Sequence, residues 1–249
     1  MSSQLKHIGD LVSGKPAVLF IPGGMATPPL VYDGIEKMIP VQSAQIDWSI
    51  SEGPWDVKEL GNRVLSFVIE QDLGPTILAG YSAGGVIAQQ AAIADKTGRI
   101  AGLLLSNTGP CAIGHGDPNL PNRVRKQWFS AELYDRFLAR CFSGEIDPVL
   151  REKIIAYAKQ VKMEVVYQST KTLREHDLRP CLSRIACPVV IAHGILDKTR
   201  TKEHVRMLVE GISDTEVVYL NGGHTIMVED RENWVRTLNH LIKKVIGMN

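Results

Sequence analysis

The sequence predicts an α/β fold: a mostly parallel sheet with flanking helices, interrupted by an inserted helical cap. Three observations carry that expectation. Short apolar runs of strand length (Ala17 to Ile21, Thr76 to Ala79, Ile100 to Ser106, Pro188 to Ala192) alternate with amphipathic stretches of helical period. A turn with a glycine at each end, Gly80-Tyr81-Ser82-Ala83-Gly84, joins one of these runs directly to an Ala-rich helical segment, Val86 to Asp95. Between Cys111 and Ser183 no strand-like run occurs, while helix signals continue. Residues 1–110 and 184–249 are therefore expected to form one core, and residues 111–183 a lid set into it at the ligand end of the sheet.

Taken in order, Gly9-Asp10-Leu11-Val12-Ser13-Gly14-Lys15 spells a phosphate-loop pattern. Its context fails, because Pro16 follows the lysine and the next element is a strand where a phosphate site needs a helix. Ala17 to Ile21 reads as a buried strand that ends in Pro22-Gly23-Gly24-Met25. A helix is expected from Leu30 to Pro40 and a strand from Val41 to Trp48. Asp56 should cap an amphipathic helix running to about Asp72, and Gly74-Pro75 should turn the chain into the next strand. The cap should hold four helices: Asn122 to Phe129, Ser130 to Cys141, one opened by Asp147-Pro148 and running to Val161, and Lys162 to Glu175. Thr201 starts a helix, Thr215 to Leu220 forms the last strand, and Glu229 to Ile246 closes the chain as an amphipathic helix. Strands linked by helices in this way wind into a parallel sheet through right-handed crossovers. The ligand crevice of such a sheet lies beyond the carboxyl ends of its strands.

That rule brings the chemistry-bearing residues to one edge. Gly-x-Ser-x-Gly between a strand and a helix is a nucleophile elbow, a turn so tight that it needs small residues on both sides and leaves the Ser82 hydroxyl projecting. A serine hydroxyl needs a base within hydrogen-bond reach and a third group to fix the tautomer of that base. His224 and Asp197 follow strands at the same edge, in the order Ser, Asp, His that this arrangement demands. The amide of Ala83, at the start of its helix, and that of Gly24 or Met25 are the candidate oxyanion donors; Pro22 has no N–H. Tyr81, Trp128, Phe129 and Phe137 are candidate substrate contacts. His193 stands at no metal-ligating spacing from Asp197 or His204, whereas His115 and His176 fall in the cap, where lids supply substrate-binding groups. Asn107 and Asp117 are the rival positions for the acid, but an amide cannot play that part and Asp117 lies too far along the chain.

Composition narrows the function classes. A chain of 249 residues with a formal net charge of +1 has no electrostatic footprint for nucleic acid, and no apolar run approaches a membrane span. Arg123, Arg125 and Lys126 form the densest basic group and read as a solvated helix face. The four cysteines, Cys111, Cys141, Cys181 and Cys187, show no disulfide or zinc spacing. With Met1 to Asp10 too polar for a signal peptide, they point to free thiols and a cytoplasmic protein.

On these motifs the chain, from about Ala17 to Ile246, resembles the α/β-hydrolase superfamily. Ser106-Asn107-Thr108-Gly109-Pro110, the helical cap, and the stretch from Asp177-Leu178-Arg179 through Cys187-Pro188-Val189-Val190-Ile191 to Asp197 resemble small capped hydrolases related to enol-lactonases and ring-cleavage-product hydrolases. The resemblance implies Ser82 as nucleophile, Asp197 as acid and His224 as base. Pro22 stands where that group usually has a His, Arg231 replaces a common Pro, and the short amino-terminal segment implies a sheet that starts near the usual third strand. The expected activity is serine hydrolysis of a small, largely apolar carboxylic ester or lactone through an acyl-enzyme, with no cofactor and no metal. The expected partner is a small-molecule substrate rather than nucleic acid or membrane, and the expected state is a monomer or homodimer. The same triad serves carbon-carbon bond hydrolysis and other acyl hydrolysis, and the same fold serves ligand sensing.

Overall fold

The computed structural model describes residues 5–113 and 116–247. Its strands are β1 (Lys6–Ile8), β2 (Ala17–Ile21), β3 (Gln42–Asp47), β4 (Thr76–Tyr81), β5 (Ile100–Ser106), β6 (Val189–Gly194) and β7 (Thr215–Leu220). They form one sheet in the order β1-β3-β2-β4-β5-β6-β7. All neighbouring pairs are parallel except β1 with β3. The helices are α1 (Val57–Glu70), α2 (Ala83–Ala94), α3 (Leu120–Gln127), α4 (Ala131–Cys141), α5 (Pro148–Gln160), α6 (Met163–Glu175), α7 (Lys202–Gly211), α8 (Ile226–Glu229) and α9 (Arg231–Ile246).

The sheet is apolar on both faces because its central strands are covered on both sides. In β2, Ala17, Leu19 and Ile21 join one apolar cluster with Leu60 and Val64 of α1 and Ile87 and Ala91 of α2. The alternate residues Val18 and Phe20 join a second cluster with Trp234, Leu238 and Leu241 of α9. A period of two explains the split. Local signals fix the helix ends: the Asp56 carboxylate accepts from the amides of Lys58 and Glu59 at 2.8 and 3.2 Å, and Asp147 accepts from Leu150 N at 2.9 Å.

Helices α3 to α6 lie between β5 and β6, where a helical insertion is expected. The amide of Leu178 donates to the carbonyl of Pro110 at 2.8 Å, so the chain leaves and rejoins the sheet at one point. Leu133, Tyr134, Leu138, Ile154, Val165 and Leu173 of the insertion belong to the same apolar cluster as α1 and α2.

Three elements differ from expectation. The stretch Leu30 to Pro40 is two short 3-10 turns, Pro29–Tyr32 and Ile35–Lys37, because Gly34 takes a left-handed φ of 85° and breaks the helical path. The closing helix α9 starts at Arg231, two residues later than expected, and the short helix α8 precedes it. The sheet opens with the short antiparallel strand β1, whose exposed residues carry no apolar alternation. The phosphate-loop look-alike runs from the end of β1 into the turn before β2, with Gly14 N on the carbonyl of Asp72 at 2.8 Å. Among the described residues no helix is long and apolar enough to cross a membrane.

The elbow depends on close backbone approach. A Cβ on Gly84 would overlap the Ile21 carbonyl, and one on Gly80 would stand 2.5 Å from the Gly84 carbonyl. Gly84→Ala should therefore destabilise the protein by about 3 kcal/mol or more, measured as a lower midpoint in urea unfolding.

Candidate active site

Ser82 sits at the turn between β4 and α2 with φ 52° and ψ −115°, a conformation that strains any residue bearing a Cβ. Neighbouring groups hold it there. Its amide donates to Ser106 O at 3.0 Å, and its carbonyl accepts from Thr108 Oγ1 at 2.6 Å and from Gly85 N at 3.0 Å. The hydroxyl is thereby aimed at the loop after β7. His224 Nε2 lies 3.0 Å from Ser82 Oγ, and its Nδ1 lies 2.8 Å from Asp197 Oδ2. The His224 and Asp197 side chains are 2 % and 0 % exposed, so the three groups interact with little screening by water.

Asp197 turns its other oxygen to the backbone: Oδ1 accepts from Thr199 N at 2.6 Å and from Arg200 N at 3.0 Å. Burial alone would raise the pKa of this carboxyl. The neighbouring His224, by charge and hydrogen bond, and these two amides more than offset it, and the pKa is lowered. The carboxylate therefore stays ionised facing the imidazole, which fixes Nδ1 as the protonated nitrogen when the ring is neutral.

Beside Ser82, the amide of Ala83 opens α2, where helical amides have no intrahelical acceptor. Gly24 faces it closely enough that a Cβ there would meet Ala83 Cβ at 3.3 Å. The Gly24 carbonyl is turned away, accepting from Thr27 N at 3.1 Å and Thr27 Oγ1 at 2.8 Å. Met25 follows with a positive φ of 53°. A cavity of about 830 Å³, counting its open mouth, lies over Ser82, Ala83, Gly24, Met25 and His224 and extends under α3, α4 and α6.

A model of the alpha/beta hydrolase family matches residues 44–237. The chain belongs to the alpha/beta hydrolase family. It is 28% identical over 203 residues to the AB hydrolase superfamily protein YisY of Bacillus subtilis, covering 73% of each chain. It is 26% identical over 199 residues to 3-oxoadipate enol-lactonase 2 of Acinetobacter baylyi, covering 78% of this chain and 72% of that one. Among solved structures it is similar to the enol-lactonase of Burkholderia xenovorans, with a TM-score of 0.84 at 20% identity over 96% of this chain and 95% of that one. The esterase of Exiguobacterium antarcticum gives 0.81 at 20% identity over 96% and 94%. At those identities the structural likeness speaks for the fold.

Of the sequence candidates in this alpha/beta hydrolase, Tyr81 and Phe137 line the cavity. The Tyr81 ring centroid is also 5.0 Å from that of His224. Trp128 and Phe129 are a correction: neither lines the cavity. Trp128 donates Nε1 to Val161 O at 2.9 Å, and both rings pack on Tyr134, so they serve the interior of the insertion. His176 binds Gln90 Oε1 at 3.2 Å. His193 is buried against Tyr219, and burial, its largest influence, lowers its pKa. His115 lies outside the described residues. Arg125 lies over the Tyr167 ring, but Arg123, from the same basic group, lines the cavity instead of a solvated face. Among the described residues no three His, Cys, Asp or Glu side chains converge as metal ligands.

Two supporting roles escaped the sequence reading, which weighed Asn107 only as a rival acid and Glu229 only as a helix start. Asn107 takes a left-handed φ of 46° at the end of β5, and its fully buried amide ties three segments together. Nδ2 donates to the carbonyls of Gly223 and His224 at 2.6 and 2.7 Å, and Oδ1 accepts from Gly194 N at 2.8 Å. Glu229 holds the same loop from outside, accepting from Gly223 N at 2.9 Å and from Ser143 N at 2.7 Å. Asn107→Ala would leave three buried backbone groups unpaired. It should lower unfolding free energy by roughly 3 kcal/mol and reduce kcat more than it raises KM, as read from urea titration and steady-state kinetics.

Proposed function

We propose that this protein is a serine hydrolase of small carboxylic esters or lactones, with Ser82 as nucleophile, His224 as general base and acid, and Asp197 as the group that orients the imidazole. The observation that carries this reading is the unbroken contact chain from Ser82 Oγ through His224 to Asp197, at 3.0 and 2.8 Å. In the forward step, Ser82 Oγ attacks the carbonyl carbon while His224 Nε2 accepts the hydroxyl proton. Negative charge collects on the carbonyl oxygen, where the amides of Ala83 and of Gly24 or Met25 donate to it. The intermediate collapses as His224 returns the proton to the leaving alkoxide, and an acyl ester remains on Ser82. Water repeats the sequence, giving its proton to His224 and releasing the carboxylic acid and free serine.

The strained turn supports this assignment, since its backbone conformation is held by Thr108 and Ser106 and presents the hydroxyl to the cavity. Relatives named as enol-lactonase and as pimeloyl-[acyl-carrier protein] methyl ester esterase, the latter from Edwardsiella ictaluri, support the same reaction class. Residues 111–183 act in this reading as a cap that shields the acyl-enzyme. Four free cysteines support a reducing, cytoplasmic setting.

A fluorophosphonate probe tests the assignment. Covalent labelling mapped by peptide mass to Ser82, together with rapid multiple turnover of simple esters, is the expected outcome. Label elsewhere, or none, would remove Ser82 from the role. A single slow turnover that leaves a lasting adduct would make the protein a sensor.

A further inference from the structure

The cavity wall contributed by the insertion is unusually cationic. Arg123 of α3, Arg136 and Arg140 of α4 and Arg174 of α6 all line it, against one lining carboxylate, Asp117. Two of these charges are answered: Arg123 pairs with the Asp117 carboxylate, and Arg136 pairs with Glu132 at 2.6 Å. The other two are not.

Arg174 donates Nε and Nη2 to the Asp117 carbonyl at 3.2 and 2.9 Å, and Nη1 to the Thr170 carbonyl at 2.9 Å. Carbonyl acceptors fix the guanidinium in place without neutralising it. Arg140 lies against Gly116, where an added Cβ would stand 3.4 Å from Nη2 and 3.5 Å from Nη1, and its guanidinium has no hydrogen-bond or ion-pair partner among the described residues. The two cations are close enough to repel. Burial is the largest influence lowering the pKa of Arg174, Asp117 opposes it, and Arg140 lowers it further. Arg123 Nε is also buried without an acceptor. Three guanidinia thus gather around residues 116–117 with one carboxylate among them.

Arg136 and Arg140 are exposed and Arg123 and Arg174 half-buried, yet all four line the cavity that holds Ser82. Much of the remaining wall is apolar, with Met25, Leu133, Phe137 and Leu173. We infer that the substrate is an ester or lactone whose acyl part ends in an anionic group, a carboxylate or a phosphate, held by Arg140 and Arg174. An apolar chain then spans to the carbonyl at Ser82. The inference rests on the hydrolase reading above and specifies its substrate: the chain is apolar, as expected, but its far end is charged. Guanidinium suits the task because its fork of donors meets both oxygens of a carboxylate or phosphate.

The test compares monomethyl esters of straight-chain dicarboxylic acids with the dimethyl esters of the same acids, and with methyl esters bearing a terminal phosphate. At the best chain length, kcat/KM should favour the anionic member by about tenfold, as expected for one charge-assisted contact. The advantage should shrink as salt is raised. Arg140→Gln should abolish that preference mainly through KM, Arg140→Lys should restore part of it, and Arg125→Gln, outside the cavity, should leave it intact. A larger gain with phosphate than with carboxylate names the phosphate as the natural anion. Equal rates for neutral and anionic esters, or a preference that survives Arg140→Gln combined with Arg174→Gln, would overturn the inference while leaving the hydrolase reading in place. Calorimetric binding of the free dicarboxylates, lost in Arg140→Gln, reads the site without turnover. It would stand even if Ser82 proved not to be the nucleophile, and its absence from the wild-type protein counts against the site.

Discussion

Ser82→Ala is expected to lower kcat for ester hydrolysis by about 10⁴-fold or more, with folding and substrate binding preserved. The size of the effect follows from the role: without Oγ there is no acyl-enzyme, and the remaining donors stabilise only the slow direct attack of water. Stability should fall slightly, because alanine keeps the small turn but leaves the buried His224 Nε2 without the hydroxyl it meets at 3.0 Å. Alanine still occupies φ 52°, so the strain itself is not released. Steady-state kinetics together with thermal melting separates the two. A rate within tenfold of wild type in a cleanly folded variant would transfer the nucleophile's role elsewhere.

Asp197→Asn is expected to lower kcat by a similar order, about 10⁴-fold, at neutral pH. The amide is nearly isosteric, and its oxygen can still accept from Thr199 N and Arg200 N, which bond Oδ1. What it cannot do is accept from a protonated Nδ1 through a nitrogen that carries two hydrogens. The ring then turns to the tautomer whose protonated Nε2 faces Ser82 and cannot take its proton. The same substitution carries a pH signature. The Asp197 pKa is lowered in the folded protein, with His224 and the two amides outweighing burial. Its ionised form therefore contributes stability that is fully present above the ordinary carboxylate value and is lost as pH falls through the lower folded value. The stability gap between wild type and Asp197→Asn should narrow across that acidic window, as measured by urea unfolding at a series of pH values. A gap independent of pH there would deny the linkage, and a kcat loss below tenfold would point to another acid.

Much of this candidate site was legible because each member of the proposed triad is announced locally. Ser82 stands between glycines at a strand-to-helix junction, and Asp197 and His224 each follow an apolar strand. Asp56 and Asp147 marked helix starts for the same reason, since a cap is a property of a few adjacent residues. What stayed hidden depends on contacts between distant segments. Asn107 resembles any turn residue until the loops of Gly194 and His224 are brought to it, and Arg140 and Arg174 resemble solvated charges until α4 and α6 are packed over Ser82. Trp128 and Phe129 erred the other way, because an aromatic pair just past a helix end looks the same in sequence whether it faces a cavity or its neighbours. β1 was missed because it is three residues long and exposed, and pairing with β3 alone defines it.

The apolar cluster that runs without a break from α1 and α2 into Leu133, Tyr134, Ile154 and Leu173 bears on how such proteins diversify. A module with its own interior can be shuffled between chassis, but a chimera that exchanged these helices would also cost the Val57 amide its Thr172 partner and the Ala26 carbonyl its Tyr134 partner. New specificities should therefore arise here by point changes along the inner wall, where one arginine can be replaced without disturbing the packing beneath it.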